Sequence, residues 1–169
     1  MNLVIPDPAL VLLIGPSGSG KSTFAAAHFK PTEILSSDWM RAMVADDAAD
    51  QNASAEAFRV LAIFANGRLK RRLMTVIDAT NLRAAHRKPF CQVAARYGVP
   101  TVGILFDFPA ATYATHNLER SERVVEEGVV AEQASRMRDA VAAVPLERYR
   151  TFYVFRDPAE SSAATLERA

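Results

Sequence analysis

Short runs of apolar residues alternate along the chain with longer stretches that carry a helical period. The runs are Leu10 to Ile14, Ile34 to Leu35, Met74 to Ile77, Thr101 to Phe106 and, as the last strand, Thr151 to Phe155. Between them lie Lys21 to Phe29, Asp38 to Val44, Ala53 to Arg72, Leu82 to Tyr97, Ala110 to Arg123 and Val129 to Val144, which predict helices. The runs are too apolar for a sheet with one wet face, so a strand made from them must be covered on both sides. The order strand, helix, strand, helix therefore predicts an α/β fold, a parallel β-sheet flanked by helices. In such sheets ligands bind beyond the carboxyl ends of the strands, so the residues after each apolar run are the first candidates for chemistry.

No internal repeat, low-complexity block or Gly/Ser linker interrupts the pattern, and the prolines are read as lying near element ends. One domain over residues 1–169 is expected, because a chain of 169 residues, 50% hydrophobic, buries enough core to need no disulfide or structural metal. Cys91 is the single cysteine, which excludes an intrachain disulfide and fits a reducing, cytoplasmic location. The run from Ala9 to Ile14 is too short to cross a bilayer and Met1-Asn2-Leu3 lacks the basic flank of a signal peptide, so no membrane partner is expected. A formal net charge of +1 argues against a generally basic surface, yet residues 61–96 carry eight basic side chains against one acidic. Arg68, Lys70, Arg71, Arg72, Arg83, Arg87 and Lys88 all fall there, and they predict either a local anion-attracting patch or a solvated helix face.

Directly after the first run stands Gly15-Pro16-Ser17-Gly18-Ser19-Gly20-Lys21-Ser22, followed by Thr23 at the opening of a helix. This matches G-x-x-x-x-G-K-[ST] in the strand-loop-helix context that the motif requires. Glycines let the backbone turn so that successive N–H groups point inward at phosphate oxygens, and the helix N-terminus adds a favourable dipole. Gly15, Ser17, Gly18, Ser19, Gly20, Lys21, Ser22 and Thr23 are thus the candidate site for ATP or another NTP. Lys21 would reach the β and γ phosphates, and Ser22 would offer its hydroxyl to Mg²⁺.

The acceptor side is read from the other strand ends. After the second run comes Ser36-Ser37-Asp38-Trp39-Met40-Arg41, where Ser37 is read as a helix cap and Asp38 and Arg41 share a helix face. A carboxylate there can take the proton of an attacking hydroxyl and an arginine can hold an anionic group of the acceptor; the plainer reading is a surface ion pair. After the third run, Asp78 falls beside the phosphate loop in a sheet of the usual winding, where it orients Mg²⁺ through water or holds a catalytic group. The alternative is a helix N-cap, a role that Asn81 fits better. Farther on, His116, Arg120 and Arg123 fall at i, i+4 and i+7, either an arginine lid over the transferring phosphoryl group or a solvated face paired with Glu119 and Glu122. The acidic stretch Asp46 to Asp50 reads as an exposed connection rather than a metal site.

These stretches resemble the 5′-OH polynucleotide kinase module of bacterial polynucleotide kinase-phosphatase, an RNA-repair enzyme. The resemblance is carried by Gly15 to Phe24 (GPSGSGKSTF), Phe29 to Asp38 (FKPTEILSSD), Val44 to Gln51 (VADDAADQ), Thr75 to Asn81 (TVIDATN), Arg87-Lys88-Pro89, and Asn117 with Arg120 and Arg123, nearly end to end. It implies a P-loop kinase-like fold with a helical lid and transfer of the ATP γ-phosphate to the 5′-hydroxyl of RNA or DNA. Asp38 would be the general base and Arg41 the contact to the acceptor strand's phosphate. One position departs: His116 stands where the family carries a lid arginine, and a histidine is largely neutral at pH 7 unless its pKa is raised. The family enzyme also carries phosphatase and ligase modules, for which 169 residues leave no room. The chain is thus expected to be an excised module, covalently linked to them in a longer parent, or a stand-alone relative. Two other readings remain on the same motifs, a kinase of a small hydroxyl compound and a nucleotide-binding module without catalysis. The basic middle third suits an open groove for a strand end better than a closed pocket.

Overall fold

A computed structural model describes residues 1–118 and 127–169 of the chain. In chain order its elements are β1 (Asn2–Ile5), β2 (Leu10–Ile14), α1 (Lys21–His28), β3 (Ile34–Ser36), α2 (Ser37–Ala45), α3 (Ser54–Lys70), β4 (Thr75–Asp78) and α4 (Ala84–Arg96). There follow β5 (Thr101–Phe106), α5 (Ala110–Leu118), α6 (Glu127–Ala143), β6 (Thr151–Phe155), α7 (Pro158–Ser162) and β7 (Thr165–Arg168). Five strands form one sheet in the order β3-β4-β2-β5-β6, and every neighbouring pair is parallel. The strand that leads into the phosphate loop is central.

Alternation along β2 explains why the sheet is covered twice. Leu10, Leu12 and Ile14 point into a core made with Leu61, Ala65 and Leu69 of α3, Phe90 and Ala94 of α4, and Met137 of α6. Val11 and Leu13 point the other way, against Phe24 and Ala25 of α1, Phe106 of β5 and Phe155 of β6. A strand buried on both faces has no place for a polar residue until its end, and that is where the chemistry-bearing residues begin. On α3 the buried residues Ala57, Leu61, Ala65 and Leu69 follow at every fourth position, one core-facing stripe of the helix.

The structure corrects the sequence reading at several points. Thr151–Phe155 is not the last strand: β1 and β7 pair in parallel as a two-stranded ribbon, with Leu3 and Ile5 packed into the second core. Pro89 does not lie near an element end but inside α4, where it has no N–H to donate to the Ala85 carbonyl one turn earlier. The cap of α2 is Ser36, whose Oγ accepts from the Trp39 N–H at 3.4 Å; Ser37 is the first helical residue. Asn81 caps nothing. Its backbone is left-handed at φ 49°, and its side-chain amide donates to the Leu13 and Ile77 carbonyls at 2.8 and 3.2 Å, tying the end of β4 to β2.

The basic run of residues 61–96 is not one patch. Arg87 is 0% exposed. Its guanidinium donates to the Asn81 and Leu82 carbonyls at 2.7 and 2.9 Å, and to Glu147 at 3.0 Å through Nε and again through Nη2. Burial alone would lower its pKa, but the hydrogen bonds and charge of Glu147 outweigh it and raise it. Arg68 is half-buried and donates to the Met74 carbonyl at 2.7 Å. Lys70, Arg71, Arg72, Arg83 and Lys88 are exposed. No helix among the described residues is long and apolar enough to cross a membrane.

Candidate active site

The carboxyl ends of β2, β3 and β4 meet at one cleft. Register sets Asp78 of β4 beside Leu13 of β2 and Ser36 of β3, so the carboxylate emerges next to the loop that follows β2. That loop turns through left-handed Gly18 and Gly20, at φ 79° and 82°, a region that residues with a Cβ rarely adopt. Gly20 then stands at the N-cap of α1. At Gly15 the constraint is space: a Cβ there would lie 2.7 Å from Ser19 Oγ and 3.1 Å from Phe106 Cβ.

Within the loop Lys21 Nζ donates to the Pro16 carbonyl at 2.6 Å and to Ser19 Oγ at 3.1 Å. Ser22 Oγ donates to Asp78 Oδ2 at 2.7 Å. Asp78 ends β4 and is not a helix N-cap; its carboxylate and the Ser22 hydroxyl form a pair of hard oxygens at the mouth of the loop. The Ser17 N–H donates to Gln133 Oε1 of α6 at 2.7 Å. Ser17 and Ser19 are buried, while Thr23 faces a second hollow on the far side of the loop.

Across the cleft, Arg41 Nη2 pairs with Asp38 Oδ1, and Arg41 Nε donates to the Ala48 carbonyl at 2.8 Å. The side chain of Arg41 is 5% exposed and that of Asp38 is 40% exposed. The i,i+3 pair expected from the spacing is therefore real, but it is not an open-surface pair. Arg41 is held from two sides, and Asp38 presents its carboxylate to the same cleft that Lys21, Ser22 and Asp78 line. The cleft measures about 260 Å³. In the acidic loop before α3, Asp47 and Asp50 accept the N–H groups of Ala49 and Asn52 at 2.8 and 2.9 Å, so they fix turns.

Gln51, Ser54, Phe58, His86 and Gln133 also line the cleft, and none of them drew a role from the sequence. Gln51 closes the VADDAADQ stretch and could have been found from it; the others sit on helices whose facing depends on packing. Partial withdrawal from water lowers the pKa of His86 below 6.5, and the cations of Arg83, Arg136 and Arg87 act in the same direction. The second hollow, about 450 Å³, lies behind the loop between Thr23 and Ala27 of α1, Phe108, and Pro158 of α7. Burial lowers the pKa of His28 at its edge. The lid residues Arg120 and Arg123 lie outside the described residues, as does the side chain of His116. Tyr113 fastens the base of α5: its hydroxyl donates to the Phe106 carbonyl at 2.8 Å and accepts from the Phe108 N–H at 2.6 Å.

Residues 10–144 match the family model of an AAA domain. No curated protein matches the sequence. Among solved structures, the chain is similar to one in the Pnkp1/Rnl/Hen1 RNA repair complex, with 22% identity, a TM-score of 0.69 and 81% of this chain covered. It spans 46% of the length of that chain. A sugar kinase from Janibacter sp. HTCC2649 matches at 18% identity and TM-score 0.61, covering 90% of this chain and 88% of its own. The Mycobacterium tuberculosis APS kinase CysC, in complex with AMPPNP and APS, matches at 21% identity and TM-score 0.52, covering 81% of this chain and 99% of its own. At these identities the likeness is one of fold, a parallel sheet flanked by helices as in P-loop kinases.

Proposed function

For a chain that belongs to the AAA domain family (AAA_33) and folds as a P-loop kinase, we propose the activity of a polynucleotide 5′-hydroxyl kinase, exerted by residues 1–169 as one domain. The observation that carries this reading is the placement of Asp38 and its buried partner Arg41 in one cleft with Lys21, Ser22 and Asp78. A donor cradle and a carboxylate that faces it across a cleft are what transfer of a phosphoryl group to a hydroxyl needs. The cleft also runs on, through Ser54 and Phe58, into an open groove, which suits the end of a strand. Likeness to a chain of an RNA repair complex supports the same choice.

In this reading the loop N–H groups and Lys21 hold the terminal phosphates of ATP, with the base in the hollow beside Thr23 and Pro158. Asp38 takes the proton of the 5′-hydroxyl while that oxygen bonds to the γ-phosphorus and the bond to the ADP oxygen breaks. Arg41 turns toward the phosphate that follows the first nucleotide, and Arg120 and Arg123 close over the donor. Ser22 and Asp78, hard oxygens 2.7 Å apart, fit Mg²⁺, which when bound would neutralise charge on the terminal phosphates. RNA or DNA with a 5′-OH end is the partner, with phosphatase and ligase modules joined to the chain in a longer parent. A small hydroxylated acceptor is the second reading, favoured by the fold likeness to a sugar kinase.

The test is transfer of label from [γ-³²P]ATP to a 5′-OH oligonucleotide, run beside the 5′-phosphorylated strand and a set of free sugars. Label on the 5′-OH strand alone is expected. Label on a sugar and on neither strand would replace this reading by the second.

A further inference from the structure

We infer that the groove between α3 and α4 is a stacking site for the second nucleobase of the acceptor strand. The inference rests on the polynucleotide-kinase reading and deepens it. The groove measures about 510 Å³ and is walled by Phe58 and Ala62 of α3 and by His86, Pro89 and Phe90 of α4. Three residues, Ser54, Phe58 and His86, line both this groove and the cleft that holds Asp38 and Arg41. The two spaces are therefore continuous, so a strand whose 5′ end occupies the cleft can run on into the groove. With the 5′-hydroxyl at Asp38 and the next phosphate at Arg41, the second nucleotide comes to Ser54 and Phe58.

The chemistry of the groove fits a base. The rings of Phe58 and His86 stand 6.0 Å apart, tilted by 43°, and the saturated ring of Pro89 adds apolar surface to the same wall. Single-stranded nucleic acids are held on such platforms, since every base has a π-face and stacking tolerates sequence. Exposed Arg59 lines the groove and exposed Arg83 lies close enough to act on the charge of His86, cations beside which phosphates on either side of a stacked base would run. Phe58 is itself packed against the core beneath it, so the platform is rigid before a strand arrives. A small acceptor that ends at Arg41 would not reach this groove.

The test compares three acceptors with the same first nucleotide: a nucleoside 3′-monophosphate, a 5′-OH dinucleotide, and the dinucleotide with an abasic second residue. For the parent enzyme, KM for the intact dinucleotide should be about 5- to 150-fold below that for its abasic counterpart, with kcat within about twofold, the range of one base-aromatic stack. In Phe58→Leu, which keeps an apolar side chain against the core but has no ring, the gap between the two dinucleotides should shrink to about twofold. Equal KM values for the two dinucleotides in the parent would overturn the inference while leaving the kinase reading intact. So would a Phe58→Leu variant in which KM rises equally for both, because the ring would then only shape the cleft. If none of the three acceptors is phosphorylated, the kinase reading fails and the stacking site with it.

Discussion

Ser22 and Asp38 stand on opposite sides of one cleft, and their environments separate what each substitution should do. Ser22 donates its only hydroxyl hydrogen to Asp78, and Lys21 is buried within the loop; neither side chain belongs to the hydrophobic core. Lys21→Ala and Ser22→Ala should therefore each remove most phosphoryl transfer with an unchanged circular dichroism spectrum. Turnover comparable to the parent in either variant would mean that the loop is not the donor site. Asp38 is on α2, past the end of β3, and pairs with Arg41 one helical turn on. Asp38→Asn keeps the shape and removes the base, so turnover should fall by about 10²- to 10⁴-fold while nucleotide affinity, read by titration with a fluorescent ATP analogue, changes little. Collapse of both together would place Asp38 on the donor side.

Among the elements, α4 is held by a contact whose two ends differ in exposure. Arg87 is wholly buried, whereas the Glu147 side chain keeps 22% of its surface in water. Glu147→Leu leaves a buried guanidinium without its counter-ion and should cost about 3–5 kcal/mol in a urea melt. Arg87→Met leaves a carboxylate that can hydrate but also takes the donor from the Asn81 and Leu82 carbonyls, so it should be destabilising by a similar order. Two losses under about 1 kcal/mol would show that the pair does not hold α4 to the loop before β6. Nothing in the local sequence marks Arg87 as buried: an arginine among seven cations reads as surface, and its partner lies sixty positions on. The longer helices, by contrast, were legible to within a few residues wherever their ends are described, because their apolar positions repeat, while the five-residue α7 was not read. Between two adjacent serines the cap was misplaced by one, since both carry the hydroxyl that the position needs. The site loop and Asp78 were legible because a spacing motif and a strand end suffice to place them; Phe58 and His86 were not, because only helix packing turns them to the cleft.

For the molecule as a whole, the part hidden from the sequence is the ribbon of β1 and β7, whose paired residues Asn2 and Thr165 are 163 positions apart. Four-residue strands, β1 with three apolar residues and β7 with one, carry too little pattern to predict. Glu33 ties this ribbon to the main sheet: its carboxylate, 7% exposed, accepts from Arg168 at 2.9 and 2.7 Å, and from the Lys30 N–H at 2.9 Å. The Arg168 hydrogen bond, with help from Lys30 and against the effect of burial, holds the Glu33 pKa below its ordinary 4.5. A pKa depressed by folding adds stability that is full above the unfolded value and disappears as pH falls through the folded one. The parent should therefore be more stable than Glu33→Gln at pH 7, with the two converging below pH 4.5. A gap that stays constant down to pH 3 in paired thermal melts, roughly a unit and a half below that value, would remove Glu33 as the cause.

The position of β2 between β4 and β5 divides the chain as well as the sheet. Asp38, Arg41, Gln51, Ser54 and Phe58 come from one uninterrupted stretch between β3 and β4, and His86 of α4 and Gln133 of α6 join them from beyond it. The phosphate loop precedes that stretch, and the hollow behind the loop draws its remaining walls from Phe108 and α7. Residues 37–70 thus supply most of the acceptor side, with α4 completing its groove, while the phosphate loop lies before them in the chain. A scaffold divided in this way lets preference for one hydroxyl drift toward another while the donor chemistry stands still.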